Sequence, residues 1–155
     1  MVQLDCWLPE KEMFGIFPVD SVALKKDGLC VVVSNEVFQF TLQFPAAPKA
    51  CLVRETRLIP GRFDGLCDDQ LLLMRNNTFF KLKNDPLFEA IAGEQDIHYV
   101  VAAPNYTVEI LSDHAPSVAL DMAPGRRPGG GLWVSRSFWS GAAALPGLRC
   151  SALNR

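Results

Sequence analysis

The stretch DIHYVVAAPNYTVEILSDH, residues 96–114, decides the fold. With Pro104 and Asn105 as a turn, Tyr99 opposes Ile110, Val101 opposes Val108 and Ala103 opposes Tyr106, so one face of a two-stranded ribbon is apolar throughout. Successive side chains of a strand point to opposite sides, so this alternation marks a hairpin with one face in the core. The same register sets His98 opposite Leu111 on the other face and diagonal to Glu109, roughly 7–8 Å away at the backbone and within reach of a hydrogen bond between long side chains. The other histidine, His114, falls in the loop that follows.

Working outward, the same alternation recurs from about residue 21 to 112 in short runs separated by Gly, Asn, Asp and Pro, the pattern of an antiparallel sheet. LCVVV (29–33) and VFQFTLQF (37–44) flank Ser34-Asn35-Glu36, with Phe38, Phe40, Leu42 and Phe44 on one face. ACLVRETRLI (50–59) reads as a further strand, with Arg54, Glu55 and Arg57 as outward or rim charges. LLLMR (71–75) and TFFKLK (78–83) surround Asn76-Asn77 and read as a second hairpin, because Asn tolerates left-handed turn geometry. Asp85 as N-cap, Pro86 at the first helical position and Gly93 as the stop bracket one short helix, whose Leu87, Phe88 and Ile91 pack on the sheet. The fold class is therefore α+β: a mostly antiparallel β-sheet built from hairpins, with one short helix near 86–92.

At 155 residues the chain fits one domain that buries roughly two thirds of its unfolded surface. Residues 1–122 form the globular unit and 123–155 a tail. Five cysteines, odd in number and without a C-x-x-C pair, read as free thiols in a reducing compartment. MVQLDCWLPEKE lacks the basic start and apolar run of a signal peptide, and no window carries the roughly 18 apolar residues of a membrane span, which together place the protein in the cytoplasm. Residues 1–122 hold ten basic and 17 acidic side chains, a net of −7, whereas the tail holds five arginines and no Lys, Asp or Glu. Nucleic-acid binding rests on Lys and Arg meeting phosphates, so an acidic body argues against it and suits a basic protein partner.

Chemistry-bearing motifs are scarce. A His paired with a carboxylate serves as a base, so His98 with Glu109 is the one candidate for acid–base work. No G-x-S-x-G elbow and no cysteine stands near either histidine to supply a nucleophile. Asp64, Asp68 and Asp69 offer oxygens but lack the order of a calcium loop, and read as an acidic, solvated loop. The triple glycine at 129–131 lacks the Gly-Lys-Ser/Thr ending of a phosphate-binding loop. No cofactor or metal motif is present. In the tail, LWVSRSFW (132–139) has strong β-propensity. The tail reads equally as an added strand or as an unordered or non-native extension, with a basic arm for anionic surfaces behind both.

FQFTLQF, CLVRETRLI, FFKLKNDPLFEAI and IHYVVAAPNYTVEILSD, in that order over residues 21–120, resemble small uncharacterised bacterial α+β proteins with a β-rich N-terminal part, a short aromatic helix and a closing strand pair beginning near a His. Some such proteins lie beside toxin genes in polymorphic-toxin or contact-dependent inhibition loci and are taken for immunity proteins. With the acidic body and the missing catalytic set, the resemblance points to a non-enzymatic binding protein whose acidic surface neutralises a basic toxin domain; His98 and Glu109 on the non-core face and Asp64, Asp68 and Asp69 in the acidic loop are the candidate contact residues by their position and charge. The resemblance carries over no established functional residue. Two other classes stay open: a small hydrolase or transferase using His98 and Glu109, which requires a concave pocket at that face, and an oligomerising module whose tail strand extends a neighbour's sheet edge.

Overall fold

Phe40 meets Phe79 edge to face with ring centroids 6.2 Å apart, and Phe44 meets Tyr99 at 5.5 Å. Each pair joins one antiparallel sheet to another. The computed structural model describes residues 1–123. Its strands are β1 (Gln3–Cys6), β2 (Val19–Lys25), β3 (Gly28–Ser34), β4 (Phe38–Gln43), β5 (Ala50–Glu55), β6 (Phe79–Lys83), β7 (Ile97–Ala102), β8 (Tyr106–Ser112) and β9 (Ser117–Met122), with one α-helix, α1 (Asp68–Asn76). The first sheet runs β1-β6-β7-β8-β5 and the second β2-β3-β4-β9. The tail, with its triple glycine, LWVSRSFW and Cys150, lies outside the described residues.

The histidine hairpin has the register read from its sequence: Tyr99 pairs with Ile110, Val101 with Val108 and His98 with Leu111. Its apolar face, with Val53 of β5 and Phe79 of β6, packs on Val31, Val33, Phe40, Leu42 and Phe44 of the second sheet. Val31, Val33, Phe40 and Phe44 are fully buried. Each such side chain contributes about 1.5–3 kcal/mol relative to exposure, and these residues make the sandwich.

Polar side chains fix the turns. Asn35 Oδ1 accepts from the backbone N–H groups of Val37 and Phe38, both at 2.8 Å, and closes the β3–β4 turn. Asn105 ties the β7–β8 turn to the other sheet: its Oδ1 accepts from Val19 N and its Nδ2 donates to Val19 O, both at 2.9 Å. Gly28 closes the β2–β3 turn at φ +122°, where a Cβ would stand 1.9 Å from the Phe44 carbonyl oxygen.

Three local expectations are corrected. LLLMR is not a strand: residues 68–76 form α1. Its leucines are not branched at Cβ and are good helix formers, Gln70 Oε1 accepts from Cys67 N at 3.2 Å to close the first turn, and Asp68 and Asp69 face the positive end of the helix dipole. Asn76 and Asn77 are not a hairpin turn; their side-chain amides donate to the Leu72 and Leu73 carbonyls at 3.0 and 3.2 Å and finish the helix. At 86–92, Asp85 does cap the Leu87 N–H at 3.0 Å, but only a 3-10 turn, Pro86–Phe88, follows. Phe88 is buried there, whereas Leu87 and Ile91 are 36% and 49% exposed. Too few apolar contacts hold this segment to extend a helix whose nucleation is costly. Finally, β5 ends at Glu55, and Thr56–Leu58 is a 3-10 turn.

Candidate functional site

The outer face of the first sheet, turned away from the second, is itself covered in two halves. Over β1, β6 and β7, Leu4, Phe80, Leu82 and Val100 lie beneath Phe63, Leu66, Leu71 and Met74 from α1 and the loop before it. Over β7, β8 and β5 the cover is ionic. Arg62, from the loop between β5 and α1, lays one edge of its guanidinium on Glu109 of β8, with Nε to Oε2 at 2.8 Å and Nη2 to Oε1 at 2.7 Å. The other edge lies on Asp85, with Nη1 to Oδ1 at 3.1 Å and Nη2 to Oδ2 at 2.7 Å. Arg54 Nη2 of β5 donates to Glu109 Oε2 at 2.8 Å, and His98 Nε2 of β7 stands 2.9 Å from Glu109 Oε1. Phe88 lies against the His98 ring, with centroids 4.7 Å apart and the planes tilted by 54°.

A carboxylate has about four lone-pair positions, and those of Glu109 receive four donors: two from Arg62, one from Arg54 and one from His98. Burial alone would push the Glu109 carboxyl up. The hydrogen bonds from His98 and Arg62 and the charge of Arg62 outweigh burial and hold its pKa at about 2, against an ordinary 4.5. An ionised Glu109 only accepts, so His98 Nε2 carries the proton it shares with it. Burial opposes the charge on Arg62, but its hydrogen bonds to Glu109 and Asp85 and their negative charges raise its pKa above the ordinary value. Two arginines and two carboxylates cancel in charge.

The pairing of His98 with Glu109 read from the hairpin is present, but its setting differs from the outward face expected. His98 is 7% and Glu109 0% exposed, so neither offers a surface to a partner. Arg54, read as an outward charge, is the second cation of the cluster. Arg62 and Asp85 were not anticipated as members: both stand in loops, and only the tertiary fold brings residues 54, 62, 85, 98 and 109 together. An acid at 109 on a strand facing away from the core was the one signal that a counter-charge had to exist, because a buried carboxylate must be paired. Asp64, Asp68 and Asp69 lie apart from the cluster and are exposed, Asp68 and Asp69 on the first turn of α1.

Ligand atoms of Asp85, His98 and Glu109 all lie within 4.8 Å of one another, a spacing that a metal ion could bridge. The Arg62 guanidinium already lies between the two carboxylates, so a cation there would have to displace it and would face Arg54 as well. Cys6, Cys30 and Cys67 are free thiols. Cys51 is buried in the sandwich core and is not a free thiol, which corrects the reading of all five as free. Beside the ionic cluster, a cleft of about 450 Å³ opens between the β7–β8 end of the sheet, α1 and the loop carrying Arg62.

No family model, curated protein or solved structure matches the chain. Among the described residues no helix is long and apolar enough to cross a membrane. The class defined is thus architectural: a two-sheet antiparallel α+β domain with an internal ionic cluster.

Proposed function

We propose that the chain is a non-enzymatic protein-binding domain whose acidic surface engages a basic protein partner in the cytoplasm, as an immunity protein engages its toxin. The observation that carries this reading is the saturation of Glu109. In a His–carboxylate pair the base is the imidazole; with Glu109 saturated and buried, His98 Nε2 is committed to it and the ring, against Phe88, is only 7% exposed, which suits the pair to holding the sheet rather than to moving protons.

A surface open to a partner is α1. Asp69, Leu72, Leu73 and Asn76 share one helical face by their spacing, and Leu72 and Leu73 are 55% and 40% exposed. Apolar anchors beside Asp64, Asp68 and Asp69 suit a basic partner: the charges speed encounter and the leucines, once covered, slow release. The test is co-expression with the product of the adjacent gene, followed by size-exclusion chromatography and association kinetics. The reading expects a stable complex whose association slows roughly tenfold in Asp64→Asn/Asp68→Asn/Asp69→Asn at low salt. A missing complex, or one indifferent to salt and to those substitutions, counts against it.

A further inference from the structure

We propose that the 450 Å³ cleft is a binding site for a free α-amino acid with a large apolar side chain. Its volume falls within the range of about 300–1,000 Å³ typical of small-molecule sites. The walls are apolar: Phe63, Leu71 and Met74 on the cover, Ile16 from the segment before β2, and Ala102 and Pro104 on the sheet side. That lining receives a hydrophobic side chain.

The polar groups are few and of complementary sign. Asp64 and Arg75 both line the cleft and both are exposed, and neither has an ion-pair or hydrogen-bonding side-chain partner among the described residues. They are one anion and one cation facing a single apolar space. A ligand that satisfies both carries an ammonium for Asp64 and a carboxylate for Arg75.

A third group lies at the floor. Thr56 Oγ1 donates its proton to the Ala103 carbonyl at 2.7 Å, so the 2.9 Å contact between Thr56 and Thr107 uses the Thr107 proton. Thr107, which is 1% exposed, therefore keeps only lone pairs. The opposing cover is fixed, because Arg62 pins the loop that carries Phe63 and Asp64 onto Glu109. A site held open in this way avoids the cost of ordering its walls on binding.

The proposal is independent of the protein-binding reading. The two share Asp64, and the test uses the isolated full chain with no protein partner. Isothermal titration is carried out with L-phenylalanine and with two single-charge analogues, phenylacetate and phenethylamine. L-phenylalanine binds, and each analogue binds at least about tenfold more weakly, because each leaves one charge unanswered. Arg75→Gln abolishes the discrimination against phenethylamine, and Asp64→Asn that against phenylacetate. Both positions are exposed, and unchanged circular dichroism verifies the fold. Backbone amide shifts at Ala102 and Ala103 locate the ligand. No binding of L-phenylalanine at millimolar concentration, equal affinity for all three probes, or discrimination that survives Arg75→Gln overturns the proposal.

Discussion

Replacing Arg62 by Met removes four charge-assisted hydrogen bonds of 2.7–3.1 Å from a side chain only 13% exposed. Methionine retains much of the aliphatic length, so the loss is chiefly electrostatic. Glu109 keeps Arg54 and His98, while Asp85 keeps only the Leu87 N–H. The depression of the Glu109 pKa from 4.5 to about 2 corresponds to about 3 kcal/mol favouring its ionised form in the fold. Breaking a buried pair by removing one partner costs about 3–5 kcal/mol, in line with that figure. For a domain of this size the melting temperature falls by roughly 10–20 °C. The sign of the pH dependence follows from the depressed pKa. The stability Glu109 adds is present in full above its unfolded value of 4.5 and is lost as pH falls towards about 2. In Arg62→Met the Glu109 pKa rises, less of this stability exists to lose, and acid unfolding begins at a higher pH. Urea and thermal unfolding by circular dichroism, with an acid titration followed by circular dichroism, measure all three quantities. A loss under about 1 kcal/mol with an unchanged acid limb would mean that the cluster behaves as a solvent-screened surface pair, and the reasoning fails.

Gly28→Ala strains a backbone at φ +122° and drives a Cβ to 1.9 Å from Phe44 O, so a loss of more than about 2 kcal/mol is expected in chemical denaturation. A neutral effect there would contradict the turn geometry. Asn105→Ala removes the two bonds that link the β7–β8 turn to Val19 and is expected to cost about 1–3 kcal/mol, with faster hydrogen exchange at Val19. Phe88→Ala opens the cover over His98 and is expected to cost about 3–5 kcal/mol, the range for a buried Phe; a cost under 1 kcal/mol would mean that the 86–92 segment does not seal the cluster.

The sheet was legible wherever alternation alone sets the strand. The register of β7 and β8, the Phe40, Leu42 and Phe44 face and the Asn35 turn follow from residue order, because each depends on neighbours a few positions apart. Short apolar runs were the weak point. LLLMR has no alternation, and its preference for a helix lies in side chains not branched at Cβ and in the asparagines that cap its carbonyls. The strands β1, β2 and β9 carry weak patterns, and their places depend on pairing: β1 with β6, and β9 with β4. In the site, the link between His98 and Glu109 was readable because they share a hairpin. Arg62 and Asp85 were not, since their positions depend on where two loops cross the finished sheet.

The ionic cluster also constrains how this chain can change. Arg62 serves two carboxylates at once, and Glu109 answers three partners. An apolar packing of the same space would be as stable in principle. It is not reachable one residue at a time, since any single replacement strands a charge beneath the loop. Residues 62, 85 and 109 are therefore mutationally coupled, and a variant that alters one carries a stability cost that only a matching change in its neighbours relieves.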